Sequence, residues 1–319
     1  MRRLAGLLVV PLLLLSTAAC GDGDDKGSDS ASTQMTNDVP AITAGAKFGE
    51  KPTLSTGKGE PPKELKVKVI SEGKGPALKK GDVAQVNYLG QVWDGKEPFD
   101  QSFDRGTPFD LELGAGRVIK GWDQGLEGQK VGSRVELVIP PELGYGAEGS
   151  GEKIKPNATL VFVVDIVKGA SLPSPASAKG KEIAQDNKDL PKVGTNTDGK
   201  EVSLSVPKGA AEPTKLVSNY VLEGDGKPVT DKDSVIVKFV GKTWKDDKLF
   251  ESTYATNQTV TWPMDQLSVK GLKDGLVGKK AGSRILLVIP QDQGFGDKQQ
   301  GDIPPKSTLV FTLDILAVM

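Results

Sequence analysis

Between residues 65 and 168 the chain is built of short runs in which apolar and polar positions take turns. LKVKVI at 65–70 and FDLEL at 109–113 alternate, and VAQVNYLGQV at 83–92 alternates in part, the period of strands. SRVELVIP at 133–140 and TLVFVVDIV at 159–167 add two runs rich in β-branched residues and read as further strands. One segment departs from this period. Ile119, Trp122 and Leu126 fall at i, i+3 and i+7, which predicts a two-turn helix with its apolar face inward, ended by Gly128. An antiparallel sheet curling around a single short helix is an α+β architecture.

The pattern then occurs a second time. KGWDQGLEGQKVGSRVELVIP at 120–140 matches KGLKDGLVGKKAGSRILLVIP at 270–290, ATLVFVVDIV at 158–167 answers STLVFTLDIL at 307–316, and VNYLG at 86–90 answers VKFVG at 237–241. Pro40–Leu65 weakly echoes Pro191–Leu216. Each unit is far longer than a solenoid repeat and long enough to fold alone, as the 319-residue length also suggests. The expected organisation is therefore two tandem domains, 40–168 (core 65–168) and 190–319 (core 214–319). Residues 169–189, beginning GASLPSPASAKGK, read as a flexible, partly extended linker.

Upstream, MRRLAGLLVVPLLLLSTAAC at 1–20 sets two arginines before an apolar run and then small residues, the layout of an export signal and too short a run to span a bilayer comfortably. Its end resembles a bacterial lipobox with Cys20 as the acylated residue, although Thr17 stands where leucine is usual; an ordinary secretory signal is the alternative. Residues 21–39 are mostly small and polar with little to bury, and are expected to be a disordered tether. Loss of residues 1–19 removes two arginines and no acids, leaving 39 basic against 42 acidic residues and a mature charge of −3.

Composition narrows the chemistry. The chain has no histidine, which excludes histidine-dependent triads, most catalytic zinc sites and histidine ligation of haem. Its single cysteine, Cys20, excludes internal disulfides and CxxC pairs. A formal net charge of −1, with no long stretch of one sign, gives no support for binding nucleic acid.

Seven motifs in order, VNYLG, FDQS at 99–102, PFDLELG, VIKGWDQGL, GSRVELVIP, GYGA at 144–147 and ATLVF, make residues 65–168 resemble an FKBP-type peptidyl-prolyl cis-trans isomerase domain. Residues 214–319 resemble it more weakly. The resemblance implies rotation about X-Pro bonds in exported polypeptides, with rapamycin-type macrolides as inhibitors and no cofactor or metal. It also implies a cavity wall of Tyr88, Phe99, Phe109, Val118, Ile119, Trp122, Tyr145, Ile154 and Phe162. Trp122 would be the floor, the Ile119 amide and the Tyr145 phenol the hydrogen-bond donors, and Asp100 a rim carboxylate held by Tyr88 and Arg105 in a buried network. Taken alone, Ile119, Trp122 and Phe162 are what any core facing a short helix would use, Asp100 is a turn residue and Arg105 a solvated charge. Tyr145, between a turn and Gly146, is better suited to binding than to packing. Lys155 and Pro156 stand where the family commonly has two prolines, which predicts a flap edge of different shape.

The second unit keeps the frame and changes the pocket. Phe239, Glu251, Thr256, Val260, Ser268, Leu272 and Phe295 stand for Tyr88, Asp100, Arg105, Phe109, Val118, Trp122 and Tyr145, while Phe250, Val269, Ile303 and Phe311 stay apolar. Weak or absent activity is expected there, with Trp262 filling the space left by Leu272 so that the cavity is smaller or closed. The whole chain then reads as a membrane-tethered isomerase; the alternative is a tandem polypeptide-binding or holdase module.

Overall fold

The computed structural model describes residues 39–319; Cys20, the export signal and the tether as far as residue 38 lie outside them. The described residues form one compact unit containing two successive sheets. A ribbon of β1 (Ile42–Ala44) and β2 (Thr53–Leu54) comes first, followed by β3 (Lys66–Ser71), β4 (Val83–Val92), β5 (Pro98–Gln101), β6 (Phe109–Glu112), the helix α1 (Lys120–Leu126), β7 (Arg134–Ile139) and β8 (Leu160–Ala170). The sheet order is β3-β7-β8-β4-β5, with β6 also beside β4 and every pair antiparallel. The second half adds β9 (Lys181–Glu182), a ribbon of β10 (Lys192–Val193) and β11 (Leu204–Ser205), then β12 (Val217–Glu223), β13 (Ser234–Thr243), β14 (Leu249–Ser252), β15 (Val260–Pro263), α2 (Lys270–Leu276), β16 (Arg284–Ile289) and β17 (Leu309–Val318). Its order, β14-β13-β17-β16-β12-β9 with β15 beside β13, repeats the first sheet and adds one edge strand.

Each sheet is covered on both sides. On one face of the first, Val86 and Tyr88 of β4, Leu137 and Ile139 of β7, and Phe162 and Val164 of β8 close over Trp122 and Leu126 of α1. Because successive strand residues point to opposite faces, Leu89, Val138, Val161 and Val163 point the other way, onto Leu54 and Trp93. That second cover explains why β4 alternates only in part. The helix lies against β7 because Gly121 leaves room there; a Cβ at that position would clash with Ile139.

The upstream echo has a structural meaning. The β1–β2 and β10–β11 ribbons are clasped to their sheets by the same buried ion pair, Arg134 with Asp165 and Arg284 with Asp314, all four side chains fully buried. Arg134 donates to Asp165 at 2.6 and 2.7 Å and to the carbonyls of Gly45 and Glu50, while Arg284 donates to Asp314 and to the carbonyls of Gly194 and Asn196 at 2.8 Å. A bidentate pair with its remaining donors satisfied is the form in which buried charges are tolerated.

Residues 169–189 differ from the free linker expected of them. Ala178 is buried, its amide donates to Asp314 at 2.9 Å, the Ser177 hydroxyl reaches the same carboxylate at 3.1 Å, and β9 extends the second sheet. The buried Asp314 needs donors, and this segment supplies two, so the second domain begins before residue 190. The two sheets also meet directly. Val83 packs in one apolar cluster with Ile236, Leu316 and Ala317, and Ser234 Oγ donates to Gln85 Oε1 across the contact at 3.1 Å.

Candidate active site

In the first domain Tyr88, Phe99, Asp100, Phe109, Val118, Ile119, Trp122, Tyr145 and Phe162 surround a cavity of about 440 Å3, joined by Gly116 and Arg117. Trp122 lies at its centre, buried, with Tyr88 and Phe162 meeting the indole edge-to-face at 5.2 Å each and Phe109 at 6.0 Å. Phe99 stands on Phe162 at 5.5 Å. These edge-to-face pairs fix the ring orientations. Gly90 makes the Phe99 side of the wall possible: a Cβ there would lie 2.6 Å from the Phe99 and Phe162 rings.

The polar groups sit at the mouth. The Tyr88 hydroxyl donates to Asp100 Oδ2, Arg105 Nη1 to Asp100 Oδ1 at 2.7 Å, Arg105 Nη2 to the Tyr88 oxygen at 2.9 Å, and the Gln101 amide to Asp100 Oδ1 at 2.8 Å. Asp100 lies at the rim, and the network expected to be buried is half-exposed, with 46% of the Asp100 side chain and 47% of Arg105 exposed. Burial opposes ionisation of Asp100, but the hydrogen bonds from Tyr88, Arg105 and Gln101, with the Arg105 charge, outweigh it and hold the carboxyl below its ordinary value. Burial, reinforced by the bond to Asp100, pushes the Tyr88 phenol up. The two groups therefore move away from neutrality in opposite directions.

Among the described residues three donors of the site have no partner: the Trp122 indole N–H, buried at the floor, and two nearer the surface. The amide of Ile119, the residue before α1, makes no backbone hydrogen bond among the described residues. Tyr145 is 40% exposed on the loop after Pro141–Leu143, facing the cavity. Ile154, expected in the wall, is not there: it is buried in the core beneath the flap, where its backbone pairs with Ser150. Arg105 touches the site only through Asp100 and Tyr88. Gly116 and Arg117 were missed because a turn between β6 and α1 has no periodicity that would mark them.

In the second domain Phe239, Phe250, Glu251, Trp262, Leu272, Phe295 and Phe311 belong to the lining of a smaller cavity, about 320 Å3, which is reduced rather than closed. Trp262 packs on Phe239 at 5.3 Å and takes on β15 the register held by Leu111 on β6.

Residues 75–167 and 225–316, more than half of the chain, match the family of FKBP-type peptidyl-prolyl cis-trans isomerases, and the chain belongs to it. It is a peptidyl-prolyl cis-trans isomerase. An FK506-binding protein of Streptomyces anulatus is 50% identical over 119 residues, 37% of this chain and 96% of the relative. An FK506-binding protein of Neisseria meningitidis serogroup B is 45% identical over 104 residues, 33% of this chain and 94% of the relative. The crystal structure of FkpA from Escherichia coli, 45% identical, covers 34% of this chain and 49% of its own, with a TM-score of 0.32.

Proposed function

We propose that isomerisation takes place in the first domain's cavity, on X-Pro bonds of exported polypeptides, by a non-covalent mechanism. The observation that carries this is the convergence of nine side chains on one aromatic cavity with Trp122 at its centre and free donors at its mouth. The barrier to rotation, about 18–20 kcal/mol, comes from amide resonance. Water stabilises the planar polar amide; a prolyl ring seated on Trp122 removes that water, so the gap between the planar bond and the twisted, less polar one narrows. The Ile119 amide and the Tyr145 phenol hold the flanking carbonyls. Tyr88, Asp100 and Arg105 position the mouth and exchange no proton with substrate. A rapamycin-type macrolide would occupy the same cavity and compete with the prolyl ring.

Full-length Asp100→Val should lower the exchange rate of a short X-Pro peptide about tenfold, the scale of one charge-assisted hydrogen bond, as measured by NMR. Phe295→Ala, in the second cavity, should leave it unchanged. The reverse pattern would move catalysis to the second domain. That domain's retained aromatic cavity supports a second role, the binding of extended polypeptide without turnover.

The lipobox-like end of residues 1–20 supports tethering outside the cytoplasm through an acylated Cys20. Cys20→Ser should then release the protein from the membrane fraction or block its processing. Unchanged fractionation and processing would rule out the lipid anchor.

A further inference from the structure

A second cleft, about 270 Å3, lies where the two domains meet. Its first wall is β6 with Val83, its second is Thr259–Thr261 at the start of β15, and it shares Phe109, Arg117 and Val118 with the prolyl cavity. The two spaces adjoin through these residues. We propose that this interdomain cleft holds the extended residues flanking the proline of a polypeptide substrate, so that the second domain is a wall of the first domain's substrate site.

Three features support this occupant. First, among the described residues β6 pairs only with β4 and β15 only with β13, which leaves each strand one edge whose amides and carbonyls an extended chain can bond. Second, the walls are held at a fixed spacing. Val83 lies directly opposite Glu112 of β6 and Ile236 directly opposite Thr261 of β15, and Val83 and Ile236 share the apolar cluster that joins the domains. The docking contact therefore lies on β4 and β13, the strands beside the two walls, with Val83 belonging to both contact and cleft. Third, the surface between cavity and cleft is accessible and offers an apolar path beside one charge: Phe109 is 39% exposed, Val118 half-buried and Arg117 exposed, so a chain leaving the Trp122 floor crosses the Phe109 ring before meeting Asp110, Glu112 and the threonines. A tetrapeptide ends before it can fill this cleft; an unfolded protein does not.

The inference rests on the assignment of the prolyl site to the first cavity, and the test separates the two. On β15, Val260 and Trp262 pack toward the second domain's own core, so the alternate residues Thr259 and Thr261 can be enlarged without emptying it. In the full chain, Thr259→Trp and Thr261→Trp should each lower kcat/KM about five- to tenfold on an unfolded protein whose refolding waits on one X-Pro bond, the effect of losing about one net hydrogen bond. Exchange of a tetrapeptide and the thermal midpoint should stay as in the parent. Equal effects on both substrates, or none on either, would overturn the inference. Failure of the prolyl-site assignment would appear separately, as Asp100→Val with its tetrapeptide rate intact.

Discussion

Glu136 is a position outside the cavity at which the two domains differ in charge. It lies on β7 with 2% of its side chain exposed, where Leu286 occupies the repeated position, and one of its carboxylate oxygens has no hydrogen-bond partner. The nearest cation, Lys68 Nζ, is 4.0 Å away on a largely exposed side chain. Burial pushes the Glu136 carboxyl up from 4.5 to about 7, with Lys68 only partly opposing it. In the unfolded chain it ionises near its ordinary value, so between these limits the folded state holds the extra proton. Stability falls as pH rises through that window, and the loss is complete above the folded value, on the order of 3 kcal/mol. Glu136→Gln, which mimics the protonated form, should raise the thermal midpoint at pH ~8 and do little at pH ~4.5. An equal gain at both pH values would assign the effect to packing instead. Because Glu136 faces away from the cavity, peptide exchange should not follow this titration; in the cavity itself Asp100 shifts down and Tyr88 up, away from neutrality.

At the scale of elements, Arg134 on β7 and Asp165 on β8 are cross-strand neighbours, and the carbonyls of Gly45 and Glu50 complete the arginine's donors. Removing the guanidinium would leave Asp165 buried with the Gly49 amide as its remaining partner of that clasp. Arg134→Met should therefore cost about 3–5 kcal/mol, and Arg134→Met with Asp165→Leu should recover much of it; denaturant midpoints measure both. A double variant no better than the single one would show that the pair does more than neutralise itself. The sequence made the clasp's position legible and its role invisible. GSR recurs in both units and reads as scaffold, but which carboxylate it meets depends on the register of strands 31 residues apart. Strands and helix were legible because their periods are local: VAQVNYLGQV is β4 residue for residue, and Ile119, Trp122 and Leu126 bracket α1. Alternation did not report which face is covered. Val67 and Val69 of β3 alternate like core residues yet stand 40% and 47% exposed on an edge strand. Most of the cavity wall came from resemblance rather than period, and its errors lie where contacts are non-local: Ile154 drawn under the flap, Arg117 brought in from a turn, residues 177 and 178 taken up by Asp314.

At the scale of the whole molecule, the order of the linker depends on the contact between domains. Ala170, Leu172 and Ala176 pack against the cluster of Val83, Ile236, Leu316 and Ala317, so these three anchors hold the otherwise partly exposed segment 170–176 only while the domains stay docked. Val83 is 3% exposed, yet it lies outside the cluster that packs on α1, so a charge at position 83 strikes the contact between domains before it reaches either hydrophobic core. An aspartate there would be buried without a partner, a cost large enough to open a contact of this size. Val83→Asp should therefore leave macrolide binding by the first cavity in place while exposing residues 170–176 to limited proteolysis, giving two fragments that each retain a folded sheet. It should also depress turnover of the unfolded-protein substrate toward the level of Thr261→Trp, since opening the contact separates the walls of the cleft. Cleavage no faster than in the parent, with long-substrate turnover intact, would mean that the domains hold together by contacts other than this cluster.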